Sequence, residues 1–252
     1  MRLTWVGHAT VVIDVGGVRL LTDPLLRRHA GTLRRIGASP SPEVWRNPDA
    51  VLVSHLHYDH AELASLRLVP GAPILTGPAN ARWLRRRVRA ELFEPGSGGW
   101  VRVGPDVEVR LVRADHRHRP MPHRPNDAHG HLIRTAEQVV WFAGDTSLYP
   151  EMAKLSELAG RPIDVALVPI AGWGRGLSGG HLDPSQAAEA CLLVQPGAAL
   201  PIHHGTLHPR GYQRLSSLDW MHRPLAAFRE ELAARAPDVR LLEVGLGGSV
   251  EV

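Results

Sequence analysis

Between residues 54 and 60 the chain reads Ser54-His55-Leu56-His57-Tyr58-Asp59-His60, three imidazoles and a carboxylate within six residues. Neutral imidazole and carboxylate are the ligand types that Zn2+ and similar borderline metals prefer. One such segment supplies only part of two coordination shells, so further ligands are expected at other strand ends. His116 closes Arg113-Ala114-Asp115-His116, Asp145 stands in Phe142-Ala143-Gly144-Asp145-Thr146, and His203 in Pro201-Ile202-His203-His204-Gly205-Thr206. His118 and His204 rival His116 and His203, of which the first in each pair directly follows its strand. Eleven of the fifteen histidines crowd into 55–60, 116–131 and 203–208 instead of spreading evenly.

The elements that must position these groups follow from apolar periodicity and turn residues. Ala50-Val51-Leu52-Val53 is a short apolar run that fits a buried strand, after which alternation puts His55 and His57 on one side. A helix over 59–66 is expected to bring Asp59 and His60 round beside them. Upstream, strands are predicted at 3–6, 10–15 and 18–22, the last two joined by a Gly16-Gly17 hairpin turn. Residues 27–48 have no clear period and read as a surface loop or short helix. A strand at 74–75 precedes a helix over 78–92 that opens on Pro78. Strands follow at 101–103 and 107–112, a hairpin at 131–134 and 138–143, and a buried strand at 163–169. Asp183-Pro184 opens a helix over 184–194. A strand at 200–202, a helix over 224–235 and closing strands at 239–244 and 249–252 complete the chain. Strands and helices mix throughout with no low-complexity linker, so residues 1–252 read as a single α/β domain.

Composition narrows the class. The 252 residues are 44% hydrophobic, enough for a sizeable core and against disorder or a fibre. Cys191 is the one cysteine, which excludes an intrachain disulfide and a thiolate metal cluster. No signal peptide and no membrane-spanning run is visible, so a cytoplasmic location is the expectation. Net charge is +4, and Lys154 is the single lysine beside 28 arginines, a bias that says little about partners.

Taken together, Trp5-Val6-Gly7-His8-Ala9-Thr10, Leu21-Thr22-Asp23-Pro24, the 54–60 cluster, His116, Ala143-Gly144-Asp145-Thr146, Gly180-His181-Leu182-Asp183-Pro184 and Ile202-His203-His204-Gly205-Thr206 resemble a metallo-β-lactamase-fold hydrolase. More narrowly, they resemble the branch containing L-ascorbate-6-phosphate lactonase and N-acyl-phosphatidylethanolamine phospholipase D. The resemblance implies an αββα sandwich of two mixed sheets, with a metal site at one edge of the sheets. It implies one metal held by His55, His57 and His116, and a second by Asp59, His60 and His203, with Asp145 bridging both. His204 departs from the aromatic residue that the family often has there.

Such a centre implies two divalent ions, with zinc expected and Mn2+ or Fe2+ left open by the ligand types. A bridging hydroxide would attack a carbonyl or phosphorus centre, and the branch that the sequence resembles implies a metal-dependent hydrolase of phosphodiesterase or lactonase type. Asp59 and His181 are the expected catalytic residues, His181 as general acid or as donor to the substrate oxyanion. Asp23 is expected to orient a ligand histidine, with a turn cap before Pro24 as the alternative. His8 stands equally for a site residue and for a strand-end filler. Two segments are candidates for the pocket wall: the polar loop 117–130, and 170–180 with Trp173 and Arg175. The run Arg82, Arg85, Arg86, Arg87 and Arg89 puts four arginines on one face of the expected helix, read as solvated and not as a nucleic-acid surface. The expected partner is therefore a small anionic or ester substrate, and the sequence leaves a homo-oligomer open. A nuclease on the same fold and a non-catalytic metal-binding scaffold are the rival readings. A glyoxalase-type thioesterase lacks its helical C-terminal domain here, and β-lactam hydrolysis lacks an export signal.

Overall fold

The first strands carry apolar side chains at nearly every position, a pattern that requires cover on both faces. In the computed structural model, which describes residues 1–93, 99–116, 123–172, 177, 179–212 and 217–252, that cover comes from a second sheet on one side and helices on the other. Strands β1 (Arg2–Gly7), β2 (Thr10–Val15) and β3 (Val18–Thr22) form an antiparallel meander, with Leu3 opposite Ile13 and Val12 opposite Leu21. The β2–β3 turn has Gly16 and Gly17 at φ of 55° and 73°, a conformation glycine adopts without steric cost.

Residues 27–48, expected as loop or short helix, do contain a one-turn helix, α1 (Pro42–Trp45), but also form two short strands that were not expected, β4 (His29–Ala30) and β5 (Leu33–Arg35). β6 (Ala50–Leu52) then runs parallel to β3. The helix expected over 59–66 is only α2 (Leu63–Leu66), because Glu62 caps it by accepting from the amides of Ala64 and Ser65. Asp59 and His60 therefore lie in a turn before the helix. β7 (Ile74–Leu75) leads into α3 (Pro78–Leu84), which stops eight residues short of the predicted 92. The chain turns after Leu84 and is extended again at β8 (Leu92–Phe93), so Arg85 to Arg89 leave the helix and share no helical face with Arg82.

The second half keeps closer to its pattern. β9 (Trp100–Arg102), β10 (Glu108–Arg113), β11 (His129–Arg134) and β12 (Val139–Phe142) are antiparallel neighbours. A 3-10 turn over Pro150–Lys154 and α4 (Leu155–Ala159) precede β13 (Val165–Pro169). α5 (Pro184–Val194) starts where Asp183 and Gln186 form a reciprocal capping box. β14 (Ala198–Ile202), β15 (Leu207–Pro209), α6 (Arg223–Arg235), β16 (Arg240–Leu241) and β17 (Ser249–Glu251) follow.

The sheet orders are β17-β1-β2-β3-β6-β7-β8 and β16-β14-β13-β12-β11-β10-β9, with a small third sheet β15-β5-β4. Between the two large sheets, Leu3, Ile13, Leu20, Leu52 and Leu75 meet Val109, Ile133, Phe142, Leu167 and Ile202. Outside the first sheet, Val12, Leu21 and Val51 pack on Trp45, Leu66 and Leu84. Outside the second, Trp141, Ala166 and Val168 pack on Ala187, Cys191, Phe228 and Leu232. The layers are thus α/β/β/α. Among the described residues no helix is long and apolar enough to cross a membrane.

Candidate metal centre

His55, His57, Asp59 and His60 follow β6, His8 links β1 to β2, and Asp23 follows β3, all on the first sheet. His116 follows β10, Asp145 follows β12 and His203 follows β14, all on the second. The strand ends bring these side chains together around Asp145. Its Oδ2 lies 3.2 Å from His60 Nε2, 3.2 Å from His181 Nε2, 3.9 Å from His55 Nε2 and 4.0 Å from His116 Nε2. Its Oδ1 lies 3.3 Å from His203 Nε2. Asp59 Oδ2 is 3.0 Å from His8 Nε2, 3.7 Å from His203 Nε2 and 3.8 Å from His60 Nε2.

Among the described residues the potential ligand atoms gather into overlapping groups, His55 with His57 and His116, His8 with Asp59, His60 and His203, and Asp23 with His55 and His60. Asp145 also groups with His116 and His181. His8, an open question in the sequence, is 1% exposed and belongs to the second group. His204 turns away, stacking on Trp5 with ring centroids 4.8 Å apart, and burial pushes its imidazole down to about 4. His118, Trp173 and Arg175 lie outside the described residues.

The hydrogen bonds fix which nitrogens face inward. His60 Nδ1 donates to Asp23 Oδ2 at 2.7 Å, His203 Nδ1 to the Ala171 carbonyl at 2.6 Å and His116 Nδ1 to the Gly180 carbonyl at 2.5 Å. Ser54 Oγ spends its proton on Asp23 Oδ2 at 2.5 Å, so His55 Nδ1, 3.0 Å away, must be the donor in that pair. Each neutral ring is thereby left with a bare Nε2 lone pair turned inward. His55 Nε2 is buried with no hydrogen-bond partner among the described residues, and the Nε2 atoms of His60 and His203 face each other at 3.1 Å. Converging imidazole lone pairs, each with its outer nitrogen pinned by a carbonyl, hydroxyl or carboxylate, are what a metal shell requires. The residues present fit divalent ions.

Electrostatics agree with this arrangement. Burial opposes charge on Asp145, yet His203, His60 and His181 hold its carboxyl well below the usual range. Asp59 is also desolvated and also held low, by His60, His203 and His8. Burial pulls the His203 imidazole down, but Asp145 and Asp59 outweigh it and raise the ring to about 9. His60 rises for the same reason, whereas burial takes His8 down to about 3 and His116 to about 4. Two ionised, buried carboxylates demand positive charge at the centre, and either protons on His60 and His203 or bound cations supply it.

Backbone strain concentrates here as well. His8, Asp23 and His203 have φ of 55°, 29° and 61°, a left-handed region that is costly for side chains other than glycine. Gly144, at φ 63°, is required beside Asp145, since a Cβ there would come within 2.6 Å of the Ser54 Cβ. Ser54 carries no signal of its own in the sequence beyond its place directly before His55 at a strand end.

Residues 18–204 match the family described as beta-lactamase superfamily domain. The chain is 31% identical over 210 residues to a protein of Pyrobaculum arsenaticum named UPF0173 metal-dependent hydrolase, covering 82% of this chain and 85% of that one. A protein of the same name from Nitratidesulfovibrio vulgaris is 31% identical over 255 residues, covering 99% of this chain and 94% of that one. Among solved structures, Igni18, a metallo hydrolase of Ignicoccus hospitalis, is similar with TM-score 0.73 and 22% identity, over 99% of this chain and 97% of that chain. An isothiocyanate hydrolase from Delia radicum gut bacteria gives TM-score 0.73 at 17% identity, over 100% and 99%.

Proposed function

The chain belongs to the beta-lactamase superfamily, and from that premise we propose that it is a dinuclear metal-dependent hydrolase of phosphodiester or ester and lactone bonds. Its relatives are named metal-dependent hydrolases, and the donor set suits that role. The reading rests above all on four buried imidazoles, His55, His60, His116 and His203, whose Nδ1 atoms are all engaged outward and whose Nε2 atoms all turn inward.

His55, His57 and His116 would hold one ion, and Asp59, His60 and His203 the other, with Asp145 shared between them. His8 is a further donor to the second. Zinc is the proposed ion, because the donors are mostly imidazole. A divalent pair lowers the pKa of a shared water towards neutrality and polarises the oxygen of the scissile group. Asp23 keeps the His60 ring oriented, and Ser54 does the same for His55. His181, whose side chain is 12% exposed against 2% or less for His8, His55, His60, His116 and His203, would pass a proton to the leaving oxygen, and its greater exposure supports that role.

A groove of about 940 Å³ that reaches His116 is lined by Arg82, Arg110 and Arg113 together with Asp127. Arg113 is paired with Glu151, whereas Arg82 has no ion-pair partner among the described residues, so an anionic group would be met at Arg82. The test is elemental analysis of the purified protein, followed by assay of the zinc-loaded form against bis(p-nitrophenyl) phosphate and a panel of lactones. Near two ions per chain with turnover of either class is expected. Two ions bound without any turnover overturns the hydrolytic reading, and failure to bind a second ion overturns the dinuclear one.

A further inference from the structure

Residues 123–127 lie outside the named helices and strands, yet side-chain hydrogen bonds tie them on several sides. Trp83 Nε1 donates to the His123 carbonyl at 2.7 Å, and Asn80 Nδ2 to the Asp127 carbonyl at 2.8 Å. The Asp127 carboxylate accepts from the Ala79 amide at 2.9 Å. Between these anchors, Arg124 Nη1 alone donates to two carbonyls, Leu56 at 2.9 Å and Ala61 at 3.0 Å. Two residues on, Asn126 Nδ2 donates to the His116 carbonyl at 2.5 Å.

We propose that Arg124 and Asn126 are positioning residues that set the spacing between His57 and His116, and so the affinity of the His55–His57–His116 group for its ion. The inference rests on the metal reading above. Leu56 and Ala61 bracket the turn that carries His57, Asp59 and His60, so one guanidinium nitrogen closes that turn at both ends. β6 and β10 belong to different sheets, and among the described residues the backbone bond from the His129 amide to the Ser54 carbonyl, 3.0 Å, is not extended into a ladder between the loops that follow them. The short segment carrying Arg124 and Asn126 grips both loops, and His57 Nδ1 lies 3.1 Å from His116 Nε2.

Arg124 is 8% exposed, and its guanidinium carbon lies 4.0 Å from the Tyr58 ring centroid and 5.0 Å from that of Trp83. Burial lowers its pKa while Tyr58 and Glu62 oppose that change. A planar, always-charged fork held between two rings is hard for any other side chain to replace.

The experiment is zinc competition against a chromophoric chelator, with wild type, Arg124→Met, Arg124→Lys, Asn126→Ala, His57→Ala and the Arg124→Met/His57→Ala double variant. Arg124→Met is expected to weaken zinc binding about 10- to 100-fold, the usual range for groups that orient metal ligands. Arg124→Lys should recover part of that loss, and Asn126→Ala should show a smaller loss of its own. The double variant should bind no more weakly than His57→Ala. Wild-type affinity in both Arg124→Met and Asn126→Ala overturns the proposal, as does a loss that adds in full to that of His57→Ala. A wild-type protein without zinc affinity removes the metal reading together with this inference, and so differs from unaffected variants of a zinc-binding wild type.

Discussion

Asp23 shows how one carboxylate dictates a series of proton positions. Its Oδ1 accepts from the Ser54 amide at 2.7 Å, and its Oδ2 accepts from both Ser54 Oγ and His60 Nδ1. Every approach to it is a donor, so the group must act as an acceptor at each oxygen, and burial raises its pKa against the hydrogen bonds from His60 and Ser54. Asp23→Asn keeps the shape but turns an amide donor against one of these donors and removes the charge that sharpens His60 as a ligand. Zinc affinity is expected to fall about 10- to 100-fold while the far-ultraviolet circular dichroism stays native. A chelator competition that finds the variant equal to wild type contradicts this role. The carboxylate before Pro24 was visible in the sequence, but its left-handed φ and its reach across to Ser54 and His60 were not, since both depend on contacts made 31 and 37 residues away.

Local patterning explains which elements the sequence disclosed. The strand before the 54–60 cluster and helix α5 carry their own signals, an apolar run and an Asp-Pro cap, and both lie where those signals place them. β4, β5 and β15 span two or three residues each, held by pairings such as Leu207 with Arg35, so their stability is not local. Leu84, Val88 and Leu92 keep a helical spacing that predicts a longer α3, although Val88 reaches the core from a bend and Leu92 from a strand. The early end of α3 changes the reading of the arginines. Arg82, exposed and without an ion-pair partner among the described residues, lines the groove that reaches His116. Arg85, Arg86, Arg87 and Arg89 do not line it. Arg82→Ala is therefore expected to raise KM for bis(p-nitrophenyl) phosphate by about 3- to 10-fold with kcat unchanged, the pattern of lost uniform binding. Turnover of a neutral lactone should not change. An equal effect on both substrates, measured by steady-state kinetics, contradicts the groove as an anion guide.

The two large sheets touch through an apolar interior, but at the rim they meet through polar side chains. His8, Asp59 and His60 come from loops of one sheet, and His116, Asp145 and His203 from loops of the other. Without cations, this rim holds ionised Asp59 and Asp145 beside imidazoles that differ sharply in basicity, His203 near 9 and His8 near 3. Ions bound there would tie one sheet to the other and satisfy both carboxylates, which makes metal binding a stabilisation of the whole fold. A single site at a free ion concentration of 100 times its Kd contributes about 2.7 kcal/mol. For a chain of this length that corresponds to a rise in Tm of roughly 5–10 °C. Calorimetry of protein stripped with chelator, then titrated with zinc, should show Tm climbing with free zinc. Asp145→Ala should flatten most of that climb, because Asp145 lies against members of both ligand groups. A Tm that ignores zinc in the wild-type protein means the rim is closed by protons alone, and the cation bridge between the sheets is lost as an explanation.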